Sequence, residues 1–200
     1  MGSGGRRAQK RLHERAFHSR TLCAVTIPNL ISIMRFVLVP LTIWCLASGQ
    51  WQAAFWVFVF AGISDGVDGF IAKHFNQTSE LGAYLDPLAD KALLVSIYVT
   101  LGILAVLPGW LVILVVFRDV MIIVAVLVSW VMGNPITIAP SYLSKANTAA
   151  QIVLAAIVLG VLGFGLIMPQ VILVGSVVVA ALTVASAANY LTAWLRHMAA

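Results

Sequence analysis

Long apolar stretches at about 28–48, 51–70, 84–107, 109–131, 145–165 and 169–195 take up most of this 200-residue chain, each bounded by polar residues or by Gly and Pro. A helix crosses a bilayer with roughly 20 mainly apolar residues. The pattern therefore predicts an all-α integral membrane protein with six transmembrane helices. Composition agrees, at 62% hydrophobic and 10% charged, which is a membrane mixture and not a soluble one. The predicted organisation is a single six-helix unit over 25–197, preceded by a basic segment over 1–24.

That segment carries Arg6, Arg7, Lys10, Arg11, Arg15 and Arg20, half of the twelve basic residues. Ahead of a first span, such a run predicts a cytoplasmic N-terminus lying against anionic headgroups. Leu12, Ala16 and Phe17 are spaced for one apolar side, which fits a short interfacial helix as well as a disordered tail. An Arg-rich, acid-poor stretch also has the form of an organelle-targeting segment. With the N-terminus inside, the connections near Gly49, Pro108 and Gly165 face outward without a Lys or Arg, while Lys73, Lys145 and Arg196 fall at the inner side. The net charge of +5 is not gathered into a patch with interleaved aromatics, so no nucleic-acid partner is expected. Cys23 and Cys45 read as free thiols.

The chain has seven acidic residues, and four of them, Asp65, Asp68, Asp86 and Asp90, lie between positions 65 and 90. Asp65 and Asp68 are three apart and Asp86 and Asp90 four apart, so on two antiparallel helices each pair shares a face. An ionised Asp at a span's centre costs about 2.5–3.5 kcal/mol, and four together roughly 10 kcal/mol. Lys73 and Lys91 are too few to neutralise them, and oxygen ligands without His or Cys suit Mg²⁺, Mn²⁺ or Ca²⁺. Two metal ions fit between the pairs. Asp86-Pro87 also has the form of a helix cap followed by Pro at the first helical position. A carboxylate-based cation transporter is a further possibility for intramembrane acids. Against it stand the absence of an inverted repeat and the glycines Gly62, Gly66, Gly69 and Gly82, which let a bulky ligand approach the backbone.

Residues 65–90 read Asp-x2-Asp-Gly-x2-Ala-Lys-x8-Gly-x3-Asp-x3-Asp. This resembles the signature of the CDP-alcohol phosphatidyltransferases, in which Arg usually stands at the position of Lys73. The exchange puts a point charge where the family has a bidentate fork. The likeness runs on from Ile27-Pro28-Asn29-Leu30 and Arg35 to the last span. Three stretches are most similar to cardiolipin synthases of the eukaryotic type: Arg118 to Met121, Ser144 to Gln151, and Ala185 to Tyr190. Phosphatidylglycerophosphate synthases, which use glycerol 3-phosphate, resemble the chain at Leu85 to Lys91 but typically carry Gly-Lys-x-Lys-Thr where Ser-Lys-Ala-Asn-Thr stands here.

The resemblance implies a homodimer of six-span subunits with a cavity open to the cytoplasm, in a bacterial inner membrane or, alternatively, the mitochondrial inner membrane. It implies that Asp65, Asp68, Asp86 and Asp90 hold two Mg²⁺ or Mn²⁺ ions, with Asp90 also the base toward the acceptor hydroxyl. Pro28, Asn29, Gly69, Lys73, Ser79 and Gly82 would meet the CDP moiety. The donor would be CDP-diacylglycerol, the acceptor phosphatidylglycerol, and the products cardiolipin and CMP. For Arg118 two readings stand, an ion pair with Asp119 that fixes helix packing, or a contact to the acceptor headgroup. Lys145 is a topology anchor or an acceptor contact, and Arg35 lies far enough into the first span to favour the cavity over snorkelling. His74 reads as a solvated loop residue.

Overall fold

The computed structural model describes residues 27–75, 80–131 and 142–198, with side chains at 34, 36–64, 91–125, 128–129 and 142–196. Among these residues the chain is helical, in the order α1 (Ile27–Ala47), α2 (Trp51–Phe75), α3 (Glu80–Ile103), α4 (Gly109–Val131), α5 (Tyr142–Gly163) and α6 (Pro169–Met198). The helices coincide with the six apolar stretches. Two differ at one end: α2 runs on to Phe75 and α3 starts at Glu80. Residues 71–75 and 80–83 contain no Pro, and the one Gly costs a helix only about 1 kcal/mol. His74 therefore sits in the last turn of α2 and not in a loop. The segment 1–24, with Cys23, lies outside the described residues, as does Ser79.

Three tight connections join α1 to α2, α3 to α4 and α5 to α6, and each closes its helix with the same hydrogen-bond pair. Gln50 N–H donates to the Cys45 carbonyl at 2.8 Å, Val106 to Leu101 at 2.9 Å and Leu166 to Val161 at 2.8 Å. The preceding residues, Gly49, Ala105 and Gly165, donate back to Leu46, Gly102 and Leu162. This is the Schellman arrangement, which needs a left-handed residue after the helix. Gly49 (φ 70) and Gly165 (φ 66) supply it without strain, whereas Ala105 (φ 56) adopts it with a Cβ.

The first and third connections lie at the same end. A Cβ on Gly163 would come within 3.2 Å of the Gln52 Cα, and the Phe55 and Phe164 rings meet edge to face with centroids 5.5 Å apart. α1 packs on α2 and α3, α5 packs on α2, α3 and α6, and α4 packs on α3 and α6. Tyr98, Ile97, Leu101, Leu46, Leu111, Leu154 and Val158 fill the centre.

Many large apolar side chains face outward among the described residues. Trp44, Ile63, Ile103, Ile113, Phe117, Val153 and Val174 are all exposed, far more apolar surface than a water-soluble monomer shows. Hydroxyls turn inward on their own helices: Thr42, Ser96, Thr100, Ser129 and Ser176 each donate to the carbonyl four residues back, at 2.6–2.8 Å. Such back-bonding satisfies a hydroxyl where no water is at hand. Two described stretches, Tyr142–Gly163 and Pro169–Arg196, are long and apolar enough to cross a membrane. Phe36–Ala47, Trp51–Ser64 and Lys91–Ile103 are shorter apolar runs. Cys45 is a buried free thiol.

Candidate metal centre and the polar seam beside it

On α2 the residues buried in the bundle are Ala54, Phe58 and Ala61, a stripe with alternating steps of four and three. Continued along the helix, the same stripe reaches positions 65 and 68. On α3 the buried stripe includes Leu101, Ile97, Leu94 and Leu93, and continued toward the helix start it reaches 90 and 86. The four aspartates thus occupy backbone positions in register with the core faces of their helices. Their side chains lie outside the described residues.

α2 and α3 share α1 and α5 as neighbours, which holds the two stripes in one bundle. Both helices run unbroken through the aspartate positions, so the three- and four-residue spacings do place each pair on one side. Because α3 begins at Glu80, Asp86 stands six residues inside it. The capping role that Asp86-Pro87 suggests is therefore overturned, since an N-cap precedes the first helical turn. Pro87, lacking an N–H, also leaves an α3 carbonyl without its usual donor. Carboxylates at these four positions would offer oxygen donors, which suit a hard divalent cation.

Beside these positions runs a seam of polar side chains joining four helices. Lys91, directly after Asp90 on α3, pairs its Nζ with Asp119 Oδ1 of α4 at 2.9 Å. Arg118 Nη1 donates to the same oxygen at 2.7 Å. Arg118 Nη2 donates to Ser144 Oγ of α5 at 2.6 Å and to Ser186 Oγ of α6 at 2.9 Å. The guanidinium is only 2% exposed, so its planar fork is used as an internal clamp. One turn further on, Thr183 Oγ1 donates to Asn147 Oδ1 at 2.9 Å. Beyond that, Tyr98 OH donates to the Gln151 carbonyl at 3.1 Å.

Among the described residues, four buried side-chain donors have no hydrogen-bond partner: Arg118 Nε, Asn147 Nδ2, Gln151 Nε2 and Tyr190 OH. The ion pair of Arg118 with Asp119, one of its two predicted readings, is present. Lys145 is exposed on α5, its Nζ 6.0 Å from the centroid of the Tyr142 ring. Pro28 and Asn29 occupy the first turn of α1, and Arg35 lies in register with the buried Thr42, Cys45 and Leu46. Gly69 and Lys73 fall in the last two turns of α2, and Gly82 falls in the first turn of α3.

The seam contains partners that sequence reasoning missed: Ser144, Asn147 and Gln151 on α5, and Thr183 and Ser186 on α6. A signal was present. The polar residues 144, 147 and 151 share the spacing three-then-four with 183, 186 and 190, so each helix carries a polar stripe through an apolar span.

The family described as CDP-alcohol phosphatidyltransferase matches residues 25–194. Proteins of rat and human named cardiolipin synthase (CMP-forming) are each 39% identical over 147 residues, covering 66% of this chain and 49% of theirs. A Streptomyces coelicolor protein of the same name is 37% identical over 108 residues, covering 51% of this chain and 50% of its own. The chain spans about half the length of these relatives.

Proposed function

The chain belongs to the CDP-alcohol phosphatidyltransferase family, and on that premise we propose that it transfers phosphatidyl from CDP-diacylglycerol to phosphatidylglycerol, releasing CMP and forming cardiolipin. The observation that carries the reading is the register of Asp65, Asp68, Asp86 and Asp90 with the buried stripes of α2 and α3. The protein acts as a six-span membrane enzyme, paired as a homodimer, with its site on the cytoplasmic side of a bacterial inner membrane. The names of the relatives support phosphatidylglycerol as acceptor over glycerol 3-phosphate. So does an apolar groove of about 340 Å³ between α4 and α6, lined by Phe117, Val120 and Met121 of the helix that carries Arg118, since an acyl-bearing acceptor needs apolar walls.

Asp65, Asp68, Asp86 and Asp90 would hold two Mg²⁺ or Mn²⁺ ions, which supply Lewis-acid polarisation of the diphosphate and offset the charge of departing CMP. Asp90 takes the proton of the acceptor hydroxyl as its oxygen bonds to the phosphatidyl phosphorus. The bond from that phosphorus to the CMP oxygen breaks in the same transfer. Pro28, Asn29, Gly69, Lys73, Ser79 and Gly82 meet the CDP moiety, Lys73 as a point charge on phosphate. Arg35 and Lys145 serve the acceptor headgroup.

Purified protein with Mg²⁺ or Mn²⁺ and CDP-diacylglycerol should release CMP when phosphatidylglycerol is added. Asp90→Asn should lower turnover about 100-fold or more, in the range of a lost general base, while nucleotide still binds. Release of CMP with glycerol 3-phosphate alone would assign the other product, and release with neither acceptor would remove the transferase reading.

A further inference from the structure

We infer that Asp119 is a positioning residue that holds Lys91 away from the carboxylate cluster and so leaves that cluster to external metal ions; this rests on the metal-binding reading above. Lys91 follows Asp90 directly on α3. In a low-dielectric bundle an unpaired ammonium one residue from a carboxylate ligand is the nearest competitor for it. The ammonium is engaged elsewhere, 2.9 Å from Asp119 Oδ1 on the neighbouring helix.

Asp119 is itself fixed. The oxygen that receives Lys91 also receives Arg118 Nη1 at 2.7 Å, and Arg118 is anchored by Ser144 and Ser186 from two further helices. Asp119 is 8% exposed and Arg118 2%, so neither swings freely. The side chain of Lys91 keeps about a third of its surface exposed. It therefore has room to move if released.

The arrangement gives Asp119 a second effect. Two cations share one carboxylate, so neutralising Asp119 both frees the ammonium and adds a positive charge beside the metal ligands. Both changes oppose cation binding.

Mn²⁺ binding to the purified full-length protein, followed by calorimetry or by the electron paramagnetic resonance of free Mn²⁺, tests this without reference to turnover. Asp119→Asn should weaken Mn²⁺ binding about tenfold. Lys91→Met should bind at least as tightly as the unaltered protein, and in the Lys91→Met background Asp119→Asn should weaken binding at most about threefold, the share due to its lost charge alone. Asp119→Glu, which keeps the carboxylate, should restore most of the loss. A purely structural Asp119 would weaken binding equally with and without Lys91, and that result overturns the inference, as does unchanged affinity in Asp119→Asn. If Asp119→Asn does not fold, the comparison within the Lys91→Met background still decides. Should the unaltered protein bind no Mn²⁺, or Asp65→Asn and Asp86→Asn leave its affinity unchanged, the metal-binding reading falls and takes this inference with it.

Discussion

Arg118 makes three hydrogen bonds to three residues on three helices while almost wholly buried. Removing one partner of a buried ion pair leaves the other uncompensated, at a cost of about 3–5 kcal/mol. Arg118→Ala should therefore lower the unfolding midpoint in detergent markedly. Arg118→Lys should recover little, because a single ammonium cannot span Asp119, Ser144 and Ser186 at once. Full recovery by Lys would mean that charge alone matters there. At this scale the sequence discloses adjacency and conceals distance. Arg118 and Asp119 are neighbours and read as a pair, whereas the serines that complete the clamp stand 26 and 68 residues away. The four aspartates are legible because an apolar chain makes each acid conspicuous. The hydroxyls and amides of the seam, by contrast, draw no notice singly.

Helices were the most legible elements, since hydropathy runs long enough to span a bilayer mark them without help from tertiary contacts. Their ends were less so. The apolar pattern stops short of Phe75 and starts late for α3, and Asp86-Pro87 imitates a helix start so well that only the observed boundary at Glu80 removes it. The connections carry their own chemistry. Ala105 does with φ 56 what Gly49 and Gly165 do at the equivalent points of the other two. A left-handed conformation costs an L residue about 1–2 kcal/mol, and glycine loses part of that gain to unfolded-chain entropy. Ala105→Gly should then stabilise the protein by roughly 0.5–1 kcal/mol, seen as a higher unfolding midpoint in detergent with metal binding unaltered. A lower midpoint would show that the Ala105 methyl makes contacts worth more than the strain.

Across the whole molecule, the seam from Lys91 to Ser186 binds α3, α4, α5 and α6 together, while α1 and α2 join through packing with α3 and α5. The aspartate positions occur on one helix of each group. With metal stripped, the acids of α2 and α3 would repel one another across that junction. Chelation with EDTA should therefore abolish transfer and also lower the unfolding midpoint, and Mg²⁺ or Mn²⁺ should restore both. Loss of turnover with an unchanged midpoint would show that the junction is held by packing alone. This coupling was not legible beforehand, because the sequence displays acids and spans without displaying which helices are neighbours.

The three tight turns pair the helices into consecutive hairpins, α1 with α2, α3 with α4 and α5 with α6. Among the described residues, the α5–α6 hairpin is the one whose two helices are both long and apolar enough to cross a membrane. None of the hairpins contains the full set of acids: Asp65 and Asp68 belong to the first, Asp86 and Asp90 to the second. The first hairpin by itself therefore carries only two of the four carboxylates. On the metal-binding reading proposed above, the site is complete only once the first two hairpins have come together.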